Sequence, residues 1–150
     1  MTDVKKWPDI SGCIDGKTHK LPVRVYFEDT DFSGVVYHAS YLRFCERGRS
    51  DFLRLMGIHH SELNESDGSL AFAVRHMEID FLGAAKIDDI LEVKTVVKSM
   101  TGARLKLDQS IFCKDAKVLE TVVTVVLLDK KGRPKRFPNT LLTILSDYMT

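Results

Sequence analysis

Between residues 21 and 28 the chain alternates, with Val23, Val25 and Phe27 on one side and Arg24, Tyr26 and Glu28 on the other. That is the period-two pattern of a half-buried strand. From about residue 37 to residue 56 the period lengthens: Tyr41, Phe44, Cys45, Gly48, Phe52, Leu55 and Met56 come together when wound as a helix,. Arg43, Glu46, Arg47, Ser50, Asp51 and Arg54 make the opposite, charged face. Ser40 is the candidate N-cap and Gly57 the natural stop,. Gly48 falls in the middle of the apolar face, where glycine costs about 1 kcal/mol relative to alanine. Its presence there predicts a helix lying tight against a sheet.

A polar loop with a short helical turn at 61–65 follows, and then four strand patterns at 70–82, 90–98, 104–112 and 118–128,. The breaks at 99–102 and 114–117 are short enough for antiparallel hairpins, whereas the break at 83–89 is longer. Leu91, Val93, Thr95 and Val97 alternate with Glu92, Lys94 and Lys98, and Leu105, Leu107 and Ile111 alternate with Lys106, Asp108 and Ser110, so these strands have one wet face,. The 118–128 strand is apolar on both sides, which predicts cover by the helix on one face and by something else, such as a subunit partner, on the other. Asp15-Gly16 reads as a hairpin turn after Cys13-Ile14,. Residues 133–150 carry Pro134 and Pro138 and then Leu141, Leu142 and Leu145, which fits a short terminal helix or a final strand. One strand, one long helix and a run of antiparallel strands make an α+β domain with the helix wrapped by a curved sheet. Residues 1–18 are expected to be an N-terminal extension and 19–150 a single domain.

The 150 residues are enough for one domain with a real core,. Lys and Arg number 22 against 21 Asp and Glu, a near balance that offers nothing to nucleic acid,. The N-terminal residues lack a signal-peptide apolar region, and the longest apolar run is too short to span a bilayer,. A cytoplasmic protein is expected. Cys13, Cys45 and Cys113 are widely spaced and odd in number, so they read as free thiols,.

The chemistry concentrates in residues 23–49. Asp31 ends the alternating segment, Ser33 and Gly34 permit a sharp turn, and His38 stands just before the helix, so a carboxylate and helix-start amides converge where they suit attack on a carbonyl,. A turn aspartate is the plainer reading of Asp31. Asp29, two residues back, is either a second carboxylate or an acceptor that fixes the loop. His38 is an acid, base or donor through its ring, or a capping or packing histidine. Tyr37 and Tyr41 are hydroxyl donors, with Tyr41 better placed in the core stripe. Cys45 on the buried helix face reads as an inert small hydrophobe. His59-His60 with Glu62, and His76 with Glu78 and Asp80, lack zinc-site spacing and read as solvated surface,. No phosphate-cradling glycine motif is present, so nucleotide cofactors bound that way are unsupported.

The segment VYFEDTDFSGVVYHASYLRFCERGR resembles the signature of the Tol-Pal-associated acyl-CoA thioesterases, in the 4-hydroxybenzoyl-CoA thioesterase-like branch of hotdog proteins. The likeness continues into AVRHMEIDFLGAAKIDDILEV and covers about residues 21–145. It implies a hotdog fold and hydrolysis of an acyl-CoA thioester carrying a short- or medium-chain, aliphatic or aromatic acyl group. Asp31 then stands at the catalytic carboxylate position, as nucleophile or as base toward water, and the His38 amide polarises the carbonyl while its side chain assists. Gly34 permits close approach, Tyr37 lies beside the substrate, and Lys98 and Arg104 either meet the phosphates of coenzyme A or are solvent-facing charge. Phe27 departs from the tyrosine often found there in relatives, which removes any hydroxyl contribution. The resemblance further implies a homodimer or homotetramer with sites at subunit interfaces, coenzyme A only as part of the substrate, and neither metal nor prosthetic group. Two other readings stand beside it: a hotdog enzyme of another class, such as a dehydratase, and a non-enzymatic partner of acyl carrier protein or envelope assembly.

Overall fold

The computed structural model describes residues 10–59 and 70–150, so the helical turn expected at 61–65 and the His60 and Glu62 cluster lie outside the described residues. In chain order the elements are β1 (Cys13–Asp15), β2 (Thr18–Arg24), α1 (His38–Leu55), β3 (Ala71–Phe81), β4 (Ile90–Met100), β5 (Leu105–Cys113), β6 (Ala116–Leu128), β7 (Pro134–Lys135) and α2 (Asn139–Ser146). The strands form one antiparallel sheet in the order β1-β2-β4-β5-β6-β3, with β7 added against β6. This is the expected α+β arrangement, in which α1 lies in the concavity of the sheet. β3 follows the helix and joins the far side of β6, which leaves it with an 11-residue edge that pairs with no other described strand.

The inner face of the sheet carries two apolar clusters against α1. Val23, Val25, Tyr41, Phe44, Leu91 and Ile111 are among those near the helix start. Phe52, Met56, Val97, Leu107, Val123 and Leu145 are among those near its end. Between them is a polar waist. Gln109 Nε2 donates to the Cys45 carbonyl at 3.0 Å and to Thr95 Oγ1 at 2.9 Å, and its Oε1 accepts from Arg49 Nη1 at 3.0 Å. Gly48 sits over this waist, where a Cβ would meet Val93 Cγ1 at 2.8 Å. The close approach predicted from the glycine is therefore real, and the reason is that strand side chains already fill the space a methyl would need.

Four expectations change. The first strand stops at Arg24 instead of continuing to 28: Val25 leaves the sheet to exchange backbone hydrogen bonds with Asp88 and Asp89, and Phe27–Asp29 winds into a single 3-10 turn. Phe27, expected to share the buried side with Val23, is 82% exposed in consequence. Ser40 is not the N-cap; the helix begins at His38 with Tyr37 as its capping residue, and Ser40 is buried inside the first turn. Asp51, assigned to the charged face, is buried. Its Oδ2 accepts from the Gly12 amide at 2.9 Å and lies 2.6 Å from Nε2 of the fully buried His19. Leu55 is partly exposed instead of joining the stripe.

The C-terminal segment resolves as the helix α2, whose Leu141 and Leu145 close the lower cluster. The hairpin at Asp15 forms as read: Asp15 pairs with Thr18 across Gly16 and Lys17, and Gly16 takes φ +63°. β1 thus belongs to the main sheet. Inner-facing Thr121, Val123 and Val125 of β6 are buried under the helix, while outer-facing Glu120 is exposed and Val122 partly so.

Candidate active site

The segment between β2 and α1 is a stapled loop. Asp29 is buried and accepts the Tyr26 amide at 2.8 Å, while its own carbonyl accepts the Tyr37 amide at 2.9 Å. Of the two readings open for Asp29, the structure shows the loop-fixing one. Thr30 bridges to Val36, the Asp31 amide donates to the Val35 carbonyl at 2.9 Å, and the Gly34 amide returns to the Asp31 carbonyl at 3.0 Å. A tight turn results, with Phe32 and Ser33 at its tip and Asp31 at its start. Gly34 has φ +86° and no atom within 4 Å of the position a Cβ would take, so glycine is needed here for backbone conformation and not for room,.

Asp31 is exposed, and its Oδ1 accepts both the Ser33 amide at 2.8 Å and the Ser33 hydroxyl at 2.5 Å. Those hydrogen bonds favour the charged form and hold the carboxyl below its ordinary range, with the hydroxyl contributing most,. A carboxylate is therefore present at neutral pH without an ion pair among the described residues.

The opposite wall is the start of α1. Residues 83–89 brace it: Val35 bridges to Lys86, the Val36 amide donates to the Ala85 carbonyl at 2.8 Å, and the Ala85 amide donates to the Tyr41 hydroxyl at 3.2 Å. Burial pushes the Tyr41 phenol up, so it remains a protonated structural hydroxyl in the core,. His38 opens the helix, and its ring touches Tyr37 at 4.6 Å and Phe81 at 6.1 Å between centroids. The amides at the first turn of a helix lack intrahelical acceptors and carry the positive end of its dipole. The structure thus brings Asp31, Gly34, Tyr37 and His38 into one hairpin-to-helix junction. No hydrogen bond joins the Asp31 carboxylate to the His38 ring among the described residues, so the two are neighbours in the fold and not a dyad.

Lys98 and Arg104 are elsewhere. β4 starts beside the junction at Ile90 and Lys98 is eight residues further on, roughly 27 Å along a strand,. Lys98 lies 3.8 Å from Asp108 Oδ1, and Arg104 precedes β5 at that same far end. Phe81, which packs on both His38 and Tyr41, went unremarked in the sequence because its contact spans the whole helix-to-strand connection. Cys45 is buried and its thiol is pushed up to about 11 by burial, as suits an inert core residue,. Exposed apolar side chains surround the junction: Phe27, Phe32, Phe81, Leu82, Ile87 and Ile90.

A family model for the thioesterase-like superfamily matches residues 25–145. The chain belongs to the thioesterase-like superfamily. It is 42% identical over 119 residues to an acyl-CoA thioesterase YbgC of Haemophilus influenzae, covering 79% of this chain and 87% of that protein. It is likewise 42% identical over 125 residues to an acyl-CoA thioester hydrolase YbgC of Escherichia coli, covering 82% and 92%. The crystal structure of a probable thioesterase from Bartonella henselae superposes with a TM-score of 0.79 at 44% identity, covering 81% of this chain and 99% of that one. The helix wrapped by an antiparallel sheet is accordingly the hotdog thioesterase fold, and the chain is an enzyme of the thioester-hydrolysing class. Both expectations drawn from the residue 25–49 segment hold at that level.

Proposed function

We propose that this superfamily member hydrolyses acyl-CoA thioesters of short- or medium-chain aliphatic or aromatic acids, with Asp31 as its catalytic carboxylate. The observation that carries the reading is the pairing of an exposed, ionised carboxylate on a rigid turn with the open first turn of α1. Identity of 42% to proteins that act on acyl-CoA supports the substrate class. In the reaction, Asp31 either adds to the thioester carbonyl or takes a proton from the water that does. The carbonyl oxygen becomes an oxyanion, and the His38 amide donates to it. Collapse of the adduct expels the coenzyme A thiolate, which is protonated from solvent or by the His38 ring; attack by water leaves the free acid directly, whereas attack by Asp31 leaves a mixed anhydride that water then hydrolyses to the free acid and the Asp31 carboxylate. Tyr37 and Gly34 line the approach.

The reading includes a second copy of the chain. The unpaired edge of β3 and the apolar side chains around the junction support a homodimer, and the partly exposed outer face at Val122 supports further assembly into a tetramer. A cytoplasmic address, delivery of acyl groups by acyl carrier protein, and the Tol-Pal association of similar chains belong to the same proposal. No described helix is long and apolar enough to cross a membrane.

The deciding experiment is Asp31→Asn, assayed for free-thiol release over an acyl-CoA panel with dimer content followed by light scattering. The variant is expected to retain the dimer and lose nearly all turnover; unchanged turnover would remove Asp31 from the mechanism. His38→Ala is expected to lose less, because the backbone amide survives.

A further inference from the structure

A cleft of about 630 Å³ separates β2 and the 3-10 turn after it from the flank of α1, and the reaction proposed above uses none of it. Leu21, Pro22, Val23, Arg24 and Tyr26 line one side, and Arg47, Ser50 and Arg54 line the other. The two buried carboxylates in the cleft are engaged: Asp29 accepts the Tyr26 amide, and Asp51 serves the Gly12 amide and His19. Its exposed groups are open. Arg47, Arg54 and Glu28 make no ion pair among the described residues. Arg24 donates only to the Asp88 carbonyl, at 3.0 Å, and the Tyr26 ring is 59% exposed.

The chain itself runs into this cleft. Ile10 and Ser11 stand in its wall, and Gly12 fixes their direction, because its amide is held by Asp51 and a Cβ there would run into the Lys20 carbonyl. Residues 1–9, MTDVKKWPD, precede Ile10 and lie outside the described residues. In β1, Cys13 faces Lys20 and Ile14 faces His19. Carried back by the same antiparallel rule, that register sets Asp9 opposite Arg24, Trp7 opposite Tyr26 and Lys5 opposite Glu28. β2 leaves the sheet after Arg24, so beyond that point the rule gives neighbours and not ladder hydrogen bonds. From Ile10 back to Trp7 is about 10 Å of extended chain, the same as from Val23 to Tyr26, so the segment reaches without stretching. Each pairing is chemically matched: carboxylate to guanidinium, ring to ring, and ammonium to carboxylate.

We propose that this cleft is the docking site of the chain's own N-terminal segment, with the Trp7 ring on Tyr26 and the Asp9 carboxylate between Arg24 and Arg47. Pro8 restricts the backbone between those two anchors, which lessens the entropy lost on docking. Docked there, the segment braces the 3-10 turn whose Asp29 staples the loop that carries Asp31.

Trp7 is the single tryptophan of the chain, so its selectively excited fluorescence reports the docked segment directly. The full chain is compared, folded and in urea, by emission maximum and by acrylamide quenching. The folded chain is expected to emit at shorter wavelength and to be quenched several-fold less. Tyr26→Ala and Asp9→Lys should each lose most of that shift and protection while circular dichroism and thermal melts show the fold intact, and Asp9→Lys/Arg47→Glu should recover part of both. Emission and quenching in the folded chain equal to those in urea would overturn the docking. So would single variants that leave Trp7 unchanged, or a charge swap that recovers nothing. Exchange between copies is tested by refolding the Trp7→Phe chain, which is dark but keeps the cleft, together with the Tyr26→Ala chain. Emission that stays at the Tyr26→Ala value keeps the segment on its own chain; recovered protection would overturn the proposal and make the segment an arm that docks on a second copy.

Discussion

Replacing Asp51 by alanine removes an acceptor shared by two donors that lie far away in sequence, the Gly12 amide and His19 Nε2. His19 is fully buried, the Asp51 side chain is 11% exposed, and His19 Nδ1 already has no partner. Water cannot readily replace the lost oxygen at the imidazole, although the part-buried Gly12 amide recovers some solvation. A buried donor left unsatisfied costs about 1–3 kcal/mol, so two donors of unequal burial set the loss at about 2–4 kcal/mol. For a chain of this size that lowers Tm by roughly 5–15 °C. Asp51→Asn keeps one acceptor oxygen and should lose less, about 1–2 kcal/mol. The sharper assay is a double-mutant cycle by urea denaturation. His19→Phe keeps a ring to stack on Phe52, where the centroids are now 5.2 Å apart, and removes the donor that Asp51 serves. In that background Asp51→Ala should cost less than in the wild type by about 1–2 kcal/mol. If Asp51→Ala is within about 0.5 kcal/mol of wild type, Asp51 behaves as the solvated helix-face residue its spacing suggests, and the tie from the N-terminal hairpin to α1 contributes nothing.

Ser33→Ala deletes the strongest hydrogen bond that holds the Asp31 carboxyl down. Activity that needs the carboxylate is present above its pKa and is lost as pH falls through it; raising that pKa moves the acid limb of the kcat/KM profile to higher pH, and an unmoved limb would detach Asp31 from it. Gly34→Ala forces a side chain into φ +86°, at a cost of about 1–2 kcal/mol,; the fold should survive by circular dichroism while turnover falls, since the turn that presents Asp31 is what distorts. Alkylation at pH 7 followed by mass spectrometry should modify exposed Cys13 and spare Cys45, whose thiol is buried and pushed up to about 11.

Periodicity located the helix and the strands well because each is amphipathic, and the period of burial is a local property of the chain. His38–Leu55 and Ile90–Met100 lie within a residue or two of the expected ends. The same logic misplaced Phe27 and Asp51 for one reason: a residue's side of a strand or helix says what it faces only while the element continues and only if nothing else packs there. Val25 leaves its strand for Asp88 and Asp89, more than sixty positions away, and β1 arrives over Asp51 from the other end of the domain. Long-range hydrogen bonds have no period.

The candidate site divides in the same way. Asp31, Ser33, Gly34 and His38 are close in sequence, and the turn chemistry and helix start are local, so the amino-acid sequence alone determined that a carboxylate-bearing turn would lead directly into the start of the helix. Tertiary structure decided that Asp29 is spent on the loop, that Phe81 and residues 83–89 brace the junction, and that Lys98 and Arg104 stand at the opposite end of the sheet. The physical reason is register: which residues of β3, β5 and β6 stand side by side depends on how the strands are aligned over one shared core, a condition that no single segment contains.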